Sequence, residues 1–458
     1  MSCHARVVPG NSSVENTQNM SESLQEKSVT KPVMPVGFKA SIPNVITAVV
    51  ILSGCILMIS LRPWLDSLDM PTLGYKPWFG MAVVFLGLIA DVGDGVAART
   101  LKVGTQFGSY FDELADLTAF GIGPAVYFTR HCTKYESFFF SLPFITGYLY
   151  MLASVIRISR ELVVHRGSRP LFFVGITTNM ASCTLVALVL LFEFLRMTKW
   201  LPIFAIPLSV MMVVPCKIYK DPLGLFISLR EQALSMEEAD QISKGDRKPS
   251  KPIMPVGLKA QIPNFITGIV ILSGYILMVS TSMVEVKPWF GMLVVFMGLI
   301  ADIGDGMAAR KLKVGTKFGS YFDELADLTA FGIGPAVFFM RYCADSGVSL
   351  PFVFVTGYLY MLASVYRISR ELVVHRGSRP LFFVGITTNM ASGILVVSIF
   401  FFDMLEITRW LPFVAIALSG MMVSSKKFYK DPSGLFISLD EQKESIAIAD
   451  KIEAENRD

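Results

Sequence analysis

A chain of 458 residues that is 53% hydrophobic and only 17% charged, with 35 Phe, lies outside the composition of ordinary soluble domains and reads as a polytopic membrane protein. A formal charge of +4 is too small for a nucleic-acid partner, and the positive residues gather beside apolar runs, where they meet membrane lipid headgroups. The six cysteines (Cys3, Cys55, Cys132, Cys183, Cys216, Cys343) show no CxxC pair, which argues against a cysteine metal site or a disulfide framework.

Residues 1–30 are polar, carry Ser12, Ser13, Asn16, Ser21 and Ser23, lack the apolar core of a cleavable signal, and read as a disordered tail. Residues 31–230 and 251–440 are two copies of one unit, as laying Lys31–Asn44 over Lys251–Asn264 shows. Between Gly147 and Ser182 the second copy differs at one place, Ile156 against Tyr366. The main length difference falls in Arg62–Tyr75, as expected of a loop.

Each unit supplies six apolar runs near the ~20 residues needed to cross a bilayer. In unit one they centre on Val45–Leu61, Trp78–Ala90, Leu117–Phe128, Phe139–Ile156, Phe172–Leu195 and Leu201–Val214. Unit two repeats them at Phe265–Val279, Trp289–Ala301, Leu328–Met340, Pro351–Tyr366, Phe382–Leu405 and Leu411–Val423. The expected fold is therefore all-α and polytopic, two tandem six-helix units with about 12 transmembrane helices.

An even number of spans makes both units face the same way, unlike the inverted repeats of many transporters. In unit two, thirteen Lys and Arg lie near the span ends on one side, against Lys287, Arg341 and Arg409 on the other. The positive-inside rule puts the richer side, which carries the aspartate motif below, in the cytoplasm. The membrane would be the endoplasmic reticulum in a eukaryote and the cell membrane in a prokaryote. Residues 231–250 form a charged linker that reaches roughly 60 Å when extended at ~3.3 Å per residue, enough to set the units side by side. Residues 441–458 read as a charged tail.

One pattern appears twice: Asp91, Asp94, Gly95, Ala98, Arg99, Gly108, Asp112 and Asp116, then Asp302, Asp305, Gly306, Ala309, Arg310, Gly319, Asp323 and Asp327. Carboxylates beside apolar runs are costly to keep unless they bind something charged. Asp91 and Asp94 are three apart and Asp112 and Asp116 four apart, so on helices each pair shares a face, and two helices can present four carboxylates to one point. Hard oxygen donors in that number, with no His or Cys nearby, favour Mg²⁺ or Mn²⁺. Gly95 and Gly108 remove bulk where a ligand must approach, and Arg99 offers a fork for phosphate. Together these groups describe a diphosphate site. Solvated helix-end residues would account for a single Asp pair but not for eight matched positions in each unit.

A second polar cluster is Arg157, Arg160, Glu161, His165, Arg166 and Arg169, repeated as Arg367, Arg370, Glu371, His375, Arg376 and Arg379. Arg166 and Arg169 read as headgroup anchors, whereas Arg157 and Arg160 read either as anchors or as contacts to a substrate carboxylate or phosphate. Asn179 and Asn389, inside the fifth runs, read as interhelical hydrogen-bonding residues, with substrate contact as the alternative role. The Gly-Ile-Gly-Pro runs at Gly121–Pro124 and Gly332–Pro335 predict close packing or a kink.

The full pattern D-x-x-D-G-x-x-A-R-x(8)-G-x-x-x-D-x-x-x-D resembles that of the CDP-alcohol phosphatidyltransferase family, and both units match every fixed position. The resemblance implies a six-helix membrane fold with a cytosol-facing site, a divalent metal, a CDP-linked substrate and release of CMP. Carried over by position, Asp91, Asp94, Asp112 and Asp116, with Asp302, Asp305, Asp323 and Asp327, resemble metal ligands, and Asp116 and Asp327 also resemble the general base. Gly95, Ala98, Arg99 and Gly108, with Gly306, Ala309, Arg310 and Gly319, look like CDP-binding positions. Arg157, Arg160, Arg367 and Arg370 are the candidates for acceptor binding.

Ile42-Pro43-Asn44, Ala115-Asp116 running into Phe120–Ala125, and the Arg157-x-x-Arg160 pair look most like the membrane-type CDP-diacylglycerol–serine phosphatidyltransferases. That likeness implies transfer of a phosphatidyl group from CDP-diacylglycerol to L-serine, with inositol or glycerol 3-phosphate as alternative acceptors. Two departures concern the acceptor: Arg160 is followed by Glu161-Leu162 where the subgroup has R-F-N, and Gly175 by Ile176-Thr177-Thr178-Asn179 where it has G-L-P-x-P. Family members are commonly dimers, so the tandem units imply an intramolecular pseudo-dimer. A twelve-helix transporter is the reading from another class, but transporter sites lie near the midplane between halves, whereas here each unit carries its own carboxylates at one surface.

Overall fold

The computed structural model describes residues 34–59, 77–133, 141–164, 172–219, 233, 254–280, 287–374, 382–429 and 438–455, apart from residues 36, 215 and 256. The tail 1–30, the loop 62–75, most of the linker 231–250, and His165, Arg166, Arg169, His375, Arg376 and Arg379 lie outside the described residues.

Unit one contains α1 (Phe38–Ile59), α2 (Pro77–Leu101), α3 (Gln106–Asp116), α4 (Gly123–Cys132), α5 (Leu142–Val164), β1 (Phe172–Val174), α6 (Thr178–Phe194), α7 (Leu201–Val213) and β2 (Lys217–Tyr219). Unit two repeats it as α8 (Leu258–Ser280), α9 (Pro288–Leu312), α10 (Lys317–Asp327), α11 (Gly334–Asp345), α12 (Leu350–Val374), β3 (Phe382–Val384), α13 (Thr388–Met404), α14 (Leu411–Val423) and β4 (Lys427–Tyr429). A final α15 (Leu439–Glu455) occupies the segment read as a charged tail. Asp440 and Glu441 in its first turn complement the helix dipole.

The fold is helical as expected, but the spans are unequal. Among the described residues six helices, α1, α2, α5 and their counterparts α8, α9, α12, are long and apolar enough to cross a bilayer. The third run continues a rod begun by α3, which passes through a π-helical turn (Leu117–Ile122) into α4. The fifth and sixth runs give shorter apolar helices, Thr178–Phe194 and Thr198–Val213. The fifth is shortened because Phe172–Val174 pairs antiparallel with Lys217–Tyr219 instead of coiling. Gly175 then turns the chain at φ +73°, and the Thr177 side chain caps α6 by accepting from the Met180 N–H at 3.2 Å. A ribbon of two three-residue strands in each unit is the only strand pairing among the described residues.

The glycines of the third run do close-pack. A Cβ on Gly54 of α1 would lie 2.6 Å from the Thr118 carbonyl oxygen and 2.8 Å from the Ala119 Cα, so α1 rests directly on the backbone of the π turn. Gly123 faces Gly54 from the other side, its Cβ position 3.2 Å from the Gly54 Cα. Every residue of the π turn is buried. The contact fixes Asp116, the last residue of α3, against α1. The units also touch each other: α3 packs on α12, and α10 packs on α5.

Candidate active site

In each unit two helix ends converge, α2 carrying Asp91 and Asp94 and α3 carrying Asp112 and Asp116. One carboxylate oxygen from each of Asp91, Asp112 and Asp116 lies within 4.8 Å of the others, as do oxygens of Asp302, Asp305 and Asp323 in unit two. Asp94 in unit one and Asp327 in unit two fall outside these threes.

The cluster is held by residues of other helices. The Thr47 hydroxyl on α1 donates to Asp94 Oδ2 at 2.5 Å, and Thr267 donates to Asp305 Oδ2 at 2.6 Å. The Asn179 amide on α6 donates to Asp91 Oδ2 at 2.9 Å. Asn389 donates to Asp302 Oδ2 at 3.0 Å and to Asp327 Oδ1 at 3.4 Å. The interhelical bond expected of Asn179 therefore ends on a site carboxylate. Thr47 and Thr267 went unnoticed in the sequence; the signal was a polar side chain one turn beyond Pro43 or Pro263 in an otherwise apolar helix.

α3 precedes the apolar third run, and its last residue is the least accommodated carboxylate. Burial first, then the charges of Asp91 and Asp112, push the Asp116 carboxyl well above the usual carboxylate range; burial, Asp302 and Asp323 do the same to Asp327. Asp116 Oδ1 is buried and has no hydrogen-bond partner. Carboxylate oxygens gathered this closely, one of them buried and unsatisfied, fit a hard divalent cation.

The other motif residues line the same helix ends. Arg99 is exposed and folds back toward Gly95, whose Cβ position is 3.6 Å from Arg99 Nη1, and Arg310 lies equally close to Gly306 at 3.4 Å. Ala98 and Ala309, one turn on from Asp94 and Asp305, are half-buried beside them. Gly108 donates its N–H to the Thr105 cap at 2.9 Å, and a Cβ there would come within 3.3 Å of Asn44 Oδ1; Gly319 repeats the arrangement with Thr316 and Asn264.

The arginine cluster divides. Arg160 donates to the carbonyls of Val213 (2.7 Å), Val174 (3.0 Å) and Met212 (3.1 Å), and Arg370 donates to those of Val384, Val423, Ser424 and Met422. These carbonyls are left over where a strand and a helix end, and the guanidinium braces them. The structure thus gives Arg160 and Arg370 an occupation other than the anionic contact expected of them. Arg157 is buried and pairs with Glu161 at 2.6 Å; its Nε has no hydrogen-bond partner, and its charge acts on Asp116. Arg367 pairs with Glu371 in the same way. Replacing Arg160 and Arg370 together by Leu should cost roughly 2–4 kcal/mol through the stranded carbonyls. Thermal unfolding in detergent would register that loss while KM for the acceptor stays unchanged; a raised KM at unchanged stability would return the pair to substrate binding.

The sequence model of the CDP-alcohol phosphatidyltransferases matches residues 40–211 and again residues 260–422. The chain belongs to the CDP-alcohol phosphatidyltransferase family. It is an enzyme of that family in tandem form, a phosphotransferase acting on a CDP-linked lipid, and the transporter reading falls away. Among curated proteins it is similar to the CDP-diacylglycerol–serine O-phosphatidyltransferase of Bacillus subtilis, 31% identical over 137 residues, which is 30% of this chain and 72% of that protein. The enzyme of the same name from Helicobacter pylori is 33% identical over 109 residues, 24% of this chain and 45% of its own length. That of Methanocaldococcus jannaschii is 25% identical over 146 residues, 32% of this chain and 66% of its own length. The matched stretch thus spans less than half of the Helicobacter pylori relative.

Proposed function

We propose that this chain transfers a phosphatidyl group from CDP-diacylglycerol to the hydroxyl of L-serine, giving phosphatidylserine and CMP, at a site in each unit that faces the cytoplasm. The observation that carries the reading is the doubled aspartate cluster with its buried, unsatisfied Asp116 oxygen. Serine as acceptor is supported by the names of the relatives.

Asp91, Asp94, Asp112 and Asp116, and Asp302, Asp305, Asp323 and Asp327, would hold Mg²⁺ or Mn²⁺. Such a cation neutralises the diphosphate and stabilises the departing CMP. Thr47 and Asn179 hold the aspartates from behind, so the donor set is oriented before substrate arrives. Gly95, Ala98, Arg99 and Gly108 receive the CDP moiety, where Arg99 has the exposure and reach to meet phosphate. Asp116 takes the serine hydroxyl proton as that oxygen bonds to the lipid-side phosphorus. The bond from phosphorus to the bridging oxygen breaks, and CMP leaves with the electron pair. Arg157 is the cation left to attract the serine carboxylate once Arg160 is assigned to its carbonyls. Unit two does the same with Asp327 and Arg367, and the units work side by side as an intramolecular pseudo-dimer. Membrane lipid is both surroundings and substrate.

The test offers purified protein CDP-diacylglycerol and Mn²⁺ or Mg²⁺ with radiolabelled serine, inositol or glycerol 3-phosphate in separate reactions, following lipid product and CMP. Serine-dependent lipid with matching CMP is expected. Product only with inositol or glycerol 3-phosphate would move the acceptor, and no CMP with any of them would overturn the reading.

A further inference from the structure

The faces on which the two units meet are built mostly from residues they share. Tyr148 donates its hydroxyl to the Gly268 carbonyl at 2.7 Å, and its equivalent Tyr358 donates to the Ala48 carbonyl at 2.6 Å. Arg130 donates to the Met58 carbonyl of its own unit and to the Met278 carbonyl of the other at 2.6 Å, while Arg341 reaches the Ile59 carbonyl at 3.0 Å. Shared residues of this kind would serve equally for two copies of unit one or two copies of unit two.

Among the equivalent positions of this face that differ, which include Ile156 against Tyr366, two bear on one hollow. Cys55 on α1 corresponds to Tyr275 on α8, and Thr129 on α4 corresponds to Met340 on α11; none of the four is more than 2% exposed. Tyr275 reaches across into unit one, its hydroxyl 2.6 Å from Thr129 Oγ1 and 3.2 Å from the Phe144 carbonyl, and its ring 5.1 Å from that of Phe144. The Tyr275 and Thr129 oxygens together fill the space above Gly147, where a Cβ would overlap both. In unit two the corresponding space, above Gly357, is filled by the Met340 side chain. Cys55 stands on that side, beside Tyr358. Each glycine hollow therefore takes a tyrosine hydroxyl with a threonine, or a methionine with a cysteine opposite. It has no room for tyrosine and methionine together.

Pairing two unit-two faces would set Tyr275 and Met340 in contest for one hollow at both ends and deprive a buried hydroxyl of its threonine partner. Pairing two unit-one faces would leave Cys55 and Thr129 underfilling both hollows. Elsewhere the units have also diverged by whole contacts, with His131 and Glu193 at 3.2 Å in unit one replaced by Tyr342 bonded to Asp403 in unit two. We infer that this face is a specificity-determining interface that accepts one unit one against one unit two and rejects two of a kind, its occupant being the other half of the same chain. The inference rests on the paired arrangement proposed above. A 20-residue linker at 231–250 supplies the high effective concentration that favours pairing within the chain.

The test uses full-length protein in detergent with a protease site placed in the linker. Cys55→Tyr with Thr129→Met makes both hollows like the Tyr–Met combination, Tyr275→Cys with Met340→Thr makes both like the Cys–Thr combination, and all four substitutions exchange the two hollows. Each two-residue variant should lower the apparent melting temperature by about 5 °C or more, and the four-residue variant should recover most of that loss. After cleavage of the linker, a tag on unit one should capture unit two in equal amount from the wild type and the four-residue variant. A four-residue variant no more stable than the two-residue ones overturns the inference. Wild-type units that separate on cleavage overturn the paired arrangement itself, and a wild-type particle holding two chains by native mass spectrometry overturns the assignment of the occupant to the same chain.

Discussion

A chain carrying both Asp116→Asn and Asp327→Asn is expected to lose phosphatidyl transfer by roughly 10²–10⁴-fold, the range for removing a general acid–base group, while either single substitution leaves on the order of half the activity. The halves follow from the duplication: each unit has its own converging carboxylates, and each set is braced from within its own unit by Thr47 and Asn179 or by Thr267 and Asn389. CMP release and lipid product measured on the four proteins decide the matter. One single variant as inactive as the double would mean that only that unit works. Stability should move the other way in cation-free buffer. Asp116 and Asp327 are buried among like charges, so the neutral amide removes repulsion, and the double variant should melt higher than the wild type without cation. Added Mn²⁺ should stabilise the wild type more than the variant, because the variant has lost two donors.

How far this could be read in advance depends on the range of each interaction. The aspartates were legible because spacings of three and four residues on a helix put side chains on one face whatever the tertiary fold, and the chain repeats the whole pattern. The span count was less legible. Phe172–Val174 is as apolar as a helix start, and only its pairing with Lys217–Tyr219, far along the chain, makes it a strand and delays α6 to Thr178. The carbonyl partners of Arg160 were hidden for a similar reason. From sequence it is a cation at a membrane exit, and the carbonyls of Val174, Met212 and Val213 that occupy it come from segments whose ends composition does not mark. Thr47 bonds Asp94 across two helices, a relation carried by no local period. The Gly-Ile-Gly-Pro run announced close packing, but its partner, Gly54, and the π turn between them emerged only with the fold.

Gly54→Val should be the most damaging single substitution in unit one outside the aspartates. The atoms a side chain would meet, the Thr118 carbonyl oxygen at 2.6 Å and the Ala119 Cα at 2.8 Å, are backbone, so no rotamer change relieves the overlap. α1 must move off the π turn, at a cost of about 3 kcal/mol or more. Because Asp116 is the residue immediately before that turn, the displacement also shifts the candidate base relative to Thr47 and Asp94 on the far side of the site. Placed in an Asp327→Asn background, where unit one supplies the activity, Gly54→Val should therefore abolish transfer as well as lower the melting temperature in detergent. Gly393→Ala is the control: it lies in α13 with nothing within 4 Å of its Cβ position, and it should leave stability within about 1 kcal/mol of the wild type. A Gly54→Val protein that melts like the control would show that α1 does not rest on the π turn, and the link between that contact and the position of Asp116 would fall with it.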